Sequence, residues 1–484
     1  MFNATPFLPG LKLRSLSSVH LAVKHSVAPL QTLWGPFLDP LLLRAKTPKG
    51  SNSRERVWPL AQTFWTFLAQ VFCPGSSCRE SVRRAAAWLR VSSNRVLSED
   101  ESAYCQARRR FPIKLLFKVW RRVCQRLEQG SNRRWCGLEV FILDSAQCQT
   151  PDTRLNQKRW PQPCTQKPGC GFPHIRFLAL FSLASGALLR LKIGSEKASE
   201  LKLLTKMWGT FRPGSLLVAD RNFCSYAHLA YLVGRGLHFA FRLHGGRPQK
   251  LQPGSRLGKH EQLVCWQKPK TCPKSMTPQQ FAALPSLLNV RLLRFATWVP
   301  GFRTRIVYLA TSLTDVDLYP REKLAELYRH RWQIELCFRH VKITLQMQYL
   351  RCKTPVMVIK EILMHCISYN LTRDLILTAA LTYHACSQRL SFKGTLDTLR
   401  HWACALYTVD QKRRKKNNFL AQMLYAIALD AVPDRLNRTE PRAVKRRPKE
   451  YPFLTKPRKE MKSISHAHKV RAKQALLRSR QLLS

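Results

Sequence analysis

Acidic residues are what this chain has least of. Against 82 Lys and Arg stand 28 Asp and Glu, a net charge of +54 over 484 residues. A surface so dominated by one sign repels itself and attracts its opposite, which argues for a polyanion partner, with DNA ahead of RNA or an anionic membrane. Long apolar runs are missing too: none approaches the ~18 residues that a membrane-spanning helix needs, and the N-terminus lacks the charged start, apolar middle and small-residue site of a secretory leader. A cytoplasmic, nucleoid-associated protein without membrane contact is expected. Zinc-site spacing is also absent. The sixteen cysteines are scattered, and the closer pairs (Cys73 and Cys78, Cys164 and Cys170, Cys265 and Cys272) do not match a zinc knuckle, so reduced core and surface thiols are expected.

With carboxylates so scarce, the place of each one is informative. In YRHRWQIELCFRHVK, Tyr328, Arg331, Glu335 and Lys342 fall within an arc of about 60° if one regular helix runs from about 321 to 345. Leu327, Ile334, Phe338, Val341 and Leu345 form an apolar seam beside that arc. The seam predicts burial, and burial fixes the polar face against something.

The rest of the chain divides by pattern. Residues 1 to about 50 are broken by proline and carry no assignable fold. From Trp58 the run reads as a buried helix. A second helix follows Pro74-Gly75 with Ser76 or Ser77 as its cap, and a third amphipathic piece runs from Pro112 to Leu127. This gives a helical N-terminal, DNA-binding domain over 1–130, in which Arg79, Arg83, Arg84, Arg108, Arg109 and Arg110 are candidate DNA contacts. Strand patterns begin near Gly137: GLEVFILD ends in Asp144, a hairpin turns at Ser185-Gly186, a helical stretch covers about 196–208, and SLLVAD ends in Asp220. A Pro-, Lys- and Gln-rich β-rich insertion spans about 245–300, after which RTRIVYLATSL resumes the core. A long amphipathic helix begins near Thr354. The catalytic domain is thus expected over 131–390, and a helical C-terminal region with a basic tail over 391–484.

Asp144, Asp220 and Glu335 are the candidate catalytic residues. Hard oxygen donors at strand ends and on an adjacent helix suit a pair of Mg²⁺ or Mn²⁺ ions, which stabilise the attacking and leaving oxygens of an in-line phosphoryl displacement. Arg331 suits a bidentate grip on phosphate, Lys342 a point charge and Tyr328 a hydroxyl donor. Trp332 and Trp298 are either stacking platforms for a displaced base or core residues. Asp152 and Arg221 are supporting groups.

These residues carry a resemblance. The spacing of Tyr328, Arg331, Glu335 and Lys342 resembles the YREK signature of bacterial DDE transposases of the insertion-sequence-four family. FILDSAQCQTPDT and LLVADRNFCSYAHL are similar to that family's two aspartate boxes, and SCRESVRR, SAYCQARRRF and LRCKTPVMVIKEILMHCISYNLTRD to further family segments. The likeness runs from about Trp58 to Thr382. It implies an α/β, RNase H-like mixed sheet with flanking helices, interrupted by the β-rich insertion. It also implies cut-and-paste transposition by nicking, hairpin formation and strand transfer at terminal inverted repeats, within a homodimeric synaptic complex that often cleaves in trans. A metal-dependent nuclease and a catalytically silent, transposase-derived DNA-binding protein remain as alternatives.

Overall fold

The computed structural model describes residues 16–45, 58–92, 100–131, 134–243, 254–297, 305–408, 413–433 and 456–461. Trp298 and most of the basic tail lie outside them. The helical N-terminal part comprises α1 (Leu16–Leu43), α2 (Leu60–Phe72), α3 (Cys78–Ser92), α4 (Ser102–Arg110) and α5 (Ile113–Gln129). Helices α2, α3 and α5 match the expected segments, and the Ser77 hydroxyl accepts the Glu80 N–H at 3.0 Å as the α3 cap. Helix α1 had no counterpart in the sequence reading, because Pro29, Pro36 and Pro40 look like breaks. Its spacing of four between Trp34, Leu38 and Leu42 buries one face, and the Trp34 indole donates to Asp374 at 3.2 Å.

The strands form one nine-stranded sheet in the order β3-β2-β1-β4-β5-β9-β8-β7-β6. They are β1 (Glu139–Gln149), β2 (His174–Ser182), β3 (Leu188–Ser195), β4 (Ser215–Ala219), β5 (His238–Arg242), β6 (Ser255–Gly258), β7 (Glu261–Gln267), β8 (Leu287–Thr297) and β9 (Arg305–Thr311). A meander of three antiparallel strands, β1 to β3, followed by β4 and β5 parallel to β1, is the RNase H-like order. The short helices α6 (Arg154–Arg159), α7 (Glu200–Thr205), α8 (Tyr226–Gly234) and α9 (Pro278–Ala282) fill connections between strands.

The hairpin joining β2 to β3 is locked from outside. Gly186 has φ +70°, and a Cβ there would lie 2.6 Å from the Arg373 guanidinium, so both backbone and space demand glycine. Arg373 donates to the Ser185 carbonyl, and Asn370 satisfies both the N–H and the C=O of Leu188 on the edge strand. Both residues lie on the later helix Pro355–Thr382, which so satisfies the first outward-facing backbone groups of this edge strand.

The insertion is not a separate layer. From Arg291 to Thr297 its β8 pairs with β9, and β9 pairs with β5, so β6 to β8 prolong the core sheet. Arg291 on β8 is fully buried. It donates to Glu261 at 2.5 and 3.0 Å and to the carbonyls of Leu313, Asp315 and Tyr319 at 3.2, 3.1 and 2.9 Å. Those three carbonyls lie in the segment that leads into the next helix.

That helix is not the single rod expected over 321–345. It divides into α10 (Arg321–His330), α11 (Gln333–Arg339) and a π-helical turn, His340–Thr344. At the first junction the N–H groups of Arg331, Trp332, Ile334 and Glu335 each bond three residues back, which tightens the winding; at the second, the Leu345 N–H reaches five back to His340. The apolar seam is nevertheless buried throughout. Beyond it run α12 (Pro355–Thr382), α13 (Phe392–Thr408) and α14 (Arg413–Leu429). Helix α12 is not amphipathic as expected: from Val358 to Ala380 almost every residue is buried, enclosed by α2, α5, α13 and α14. Among the described residues no helix is long and apolar enough to cross a membrane.

Candidate active site

The site follows from sheet register. On parallel strands β1 and β4, Leu143 is level with Ala219, so the next residues, Asp144 and Asp220, come side by side on one face. Asp144 is not at the end of its strand as the sequence suggested. Strand β1 continues to Gln149 because β2 goes on pairing with it, whereas the parallel partner stops at Ala219. The aspartates therefore sit where parallel pairing ends and a cleft opens. Strand β5 adds a third residue at that level, since Ala219 is opposite Phe241 and Arg242 follows.

Helices α10 and α11 cover the same face. Leu324, Leu327 and Tyr328 pack on Leu216, Val218 and Ala240, and the Phe338 ring meets Phe177 and Phe181 edge-on at centroid distances of 5.9 and 5.4 Å. Between those phenylalanines lies Ala179, the cross-strand partner of Asp144. The small residue leaves room beside the carboxylate under the helix.

Electrostatics within the site are uneven. Burial pushes the Asp144 carboxyl up to about 6; Glu200 and Asp220 push the same way, while the Ser145 N–H at 2.8 Å and the Arg331 charge oppose them. Asp220 keeps a buried oxygen, Oδ1, without a hydrogen-bond partner. Two adjacent carboxylates with too few donors are what a hard divalent cation neutralises, so this pair fits such an ion. Glu335 is placed differently. Its side chain is 51% exposed, and its Oε1 lies 3.7 Å from Arg331 Nη2. The described residues contain no ready group of three metal-binding side chains.

Arg331 is buried at the centre, with its guanidinium carbon 5.7 Å from the Tyr328 ring and 5.2 Å from the Trp332 ring. The Tyr328 ring is buried, and burial raises its phenol to about 12 against the pull of Arg331 and Arg242. Its hydroxyl is near Arg331 but makes no well-aligned hydrogen bond. The predicted 60° arc is not realised, because the tightened junction and the π turn change the angles on which it depended. Lys342 sits toward the far end of β1, where its charge reaches Cys148.

Among the other candidates, Trp332 is not a core residue, being 48% exposed. Arg221 is exposed just beyond Asp220, and Asp152 is held by Gln157 at 3.0 Å. Of the N-terminal arginines, Arg79, Arg83, Arg109 and Arg110 are exposed and Arg84 pairs with Glu80 at 3.5 Å. Arg108 does not fit a DNA contact: it is buried, with its guanidinium 3.9 Å from the Phe67 ring centre and 2.8 Å from the Cys78 sulfur. Two residues near the aspartates escaped the sequence reading. Arg242 ends HFAFR as the aspartates end FILD and LLVAD, a parallel that was there to be used. Glu200 accepts the Ser145 hydroxyl from the opposite face of the sheet, and nothing in its local sequence marks it.

An RNase H-like sheet bearing paired aspartates under a helix with Tyr, Arg and Glu defines a phosphoryl-transfer enzyme of the DDE class. Residues 135–371 match the transposase DDE domain. The chain is similar over most of its length to DDE transposases of the insertion-sequence-four family and functions as an insertion-sequence transposase. It is 28% identical over 436 residues to the transposase InsG for insertion sequence element IS4 of Escherichia coli K12, spanning 88% of this chain and 95% of that one. The putative transposase InsZ of the same strain is 32% identical over 143 residues, 28% of this chain and 46% of that one. A cryo-EM structure of the piggyBac transposase synaptic complex with hairpin DNA aligns over 87% of both chains at 10% identity and a TM-score of 0.41.

Proposed function

We propose that Asp144, Asp220 and Glu335 hold divalent metal, Mg²⁺ or Mn²⁺, and that this site nicks double-stranded DNA at the element's terminal inverted repeats, forms a hairpin and transfers the strand. The observation that carries the reading is the register-fixed aspartate pair with an unpartnered buried oxygen on Asp220. When bound, the metal supplies charge stabilisation at the attacking and leaving oxygens.

The chain's own groups do the positioning. Arg331, already buried and facing Asp144, offers its guanidinium to a backbone phosphate and in doing so releases Glu335 toward the aspartates. Tyr328 contributes its free hydroxyl, and Lys342 holds a second phosphate further along β1. The exposed ring of Trp332, and Trp298, stack on bases displaced from the duplex, and Arg221 adds charge beside Asp220. The 1–130 helices serve as the DNA-binding domain, 131–390 as the catalytic domain and 391–484 as an added basic surface. Two copies pair the ends in a homodimeric synapse, and the protein resides with the nucleoid.

The test is a plasmid carrying both flanks of the protein's own gene, incubated with purified protein in Mg²⁺ or in EDTA and resolved on a denaturing gel. Mg²⁺-dependent, hairpin-ended fragments that disappear with Asp144→Ala are expected. Hydrolysis without hairpins or joined products would instead identify a nuclease.

A further inference from the structure

A second cluster of reactive side chains lies away from the aspartates, in a cavity of about 1020 Å³ between the N-terminal helices and the start of α12. Cys78, Cys105, Cys352 and Arg108 all line it. Cys78 occupies the first turn of α3, where unpaired backbone N–H groups favour negative charge. Arg108 Nη1 points at its sulfur from 2.8 Å, Arg108 Nη2 lies 3.5 Å from the Cys352 sulfur, and Gln70 donates to Cys78 at 3.8 Å. Cys105, one turn before Arg108 on α4, lines the same cavity as a neighbour of the Cys78 sulfur. A helix N-terminus, a guanidinium and a thiol donor converging on one half-buried sulfur make the surroundings of a reactive thiolate, with a second thiol in reach.

We propose that Cys78 is a peroxide-reactive thiolate and Cys105 the thiol that resolves it into a disulfide joining α3 to α4.

The chemistry balances with hydrogen peroxide as oxidant. The Cys78 thiolate attacks one peroxide oxygen, an S–O bond forms as the O–O bond breaks, and hydroxide leaves to be protonated by solvent; sulfur is oxidised and peroxide reduced. The Cys105 sulfur then attacks the sulfenic acid and loses its proton. The S–S bond forms, the S–O bond breaks, and water leaves. The Cys105 hydrogen bond and the Arg108 charge both lower the Cys78 thiol below its ordinary value; the same bond to Cys78 raises the Cys105 thiol, a cause that ends once Cys78 carries oxygen in place of its charge. Oxidation removes the anion that faces Arg108 and leaves that buried guanidinium on the Phe67 ring and the Cys352 sulfur.

The protein carries its own references in the exposed thiols Cys164, Cys265 and Cys386. Full-length protein is treated with a few equivalents of hydrogen peroxide at neutral pH, blocked, digested and read by mass spectrometry over time. A peptide linking Cys78 to Cys105 is expected to form at least about tenfold faster than the reference thiols oxidise. In Cys105→Ser protein, dimedone should tag Cys78 as the trapped sulfenic acid. Oxidation of Cys78 no faster than the references, or a link from Cys78 to Cys352 in place of Cys105, would overturn the proposal.

Discussion

Asp144 and Asp220 differ from Glu335 in how the fold sets them. The aspartates leave adjacent parallel strands at one register level, half-buried, in the interior of the sheet. Glu335 stands exposed on α11, beyond a tightened junction, and is paired with Arg331. Two carboxylates are thus fixed by backbone hydrogen bonding alone, and the third waits on what happens to one arginine. Ion binding at the pair and its completion by the third carboxylate become separable events, which mutation can pull apart.

The largest expected effect is on chemistry. Asp144→Asn should lower cleavage by about a thousandfold or more, because a ligand to the reacting centre is lost. Glu335→Gln should cost about as much activity, yet only the strand residue should change stability when metal is absent. Equal stability changes in chemical denaturation would erase the distinction between the two kinds of carboxylate, and unequal cleavage losses on product gels would break their shared role in the chemistry.

Next in size is Arg291→Met, which strands Glu261 and three carbonyls and should destabilise by about 3–5 kcal/mol in urea unfolding. Adding Glu261→Leu should recover part of that loss. Because Arg291 holds the approach to α10, the weakened protein should lose Glu335-dependent cleavage before it loses metal binding at the aspartates.

The third prediction concerns pH. The Asp144 carboxyl is raised from 3.8 to about 6 in the fold, so the folded state holds its proton more tightly than the unfolded chain. Stability of the metal-free protein should therefore fall as pH rises from about 4 to 6, by about 3 kcal/mol, and stay low above that. Asp144→Asn should remove this slope, and added divalent metal should offset the loss for the wild type alone. A Glu335→Gln protein should keep the slope.

The smallest effect is Trp332→Ala. With nearly half its surface exposed, the residue should change unfolding stability by less than about 0.5 kcal/mol, while end-DNA affinity drops by about 1–3 kcal/mol if the ring stacks on a base. A stability loss matching the binding loss would make it a packing residue.

The legible parts of this molecule were those carried by local pattern. The seam Leu327, Ile334, Phe338, Val341 and Leu345 is buried as its spacing demanded, and the strand endings FILD and LLVAD led to the aspartates. The arc through Lys342 was illegible because no proline or glycine marks where the winding tightens and then loosens; the hydrogen-bond pattern alone does. Helix α1 was hidden by prolines that its long-range contacts override, and Arg108 by its place in a run of three arginines, two of which do face solvent. Glu200 reaches the site through the thickness of the sheet, a relation that no linear spacing encodes.

The hold of Arg291 on the carbonyls of Leu313, Asp315 and Tyr319 also limits how this architecture is rearranged. A stretch such as 245–300, inserted between two core strands, looks like a module to be trimmed or exchanged between relatives. Here, excision would remove the donor on which the segment entering α10 depends, so a shortened chain would have to supply a substitute cation from elsewhere.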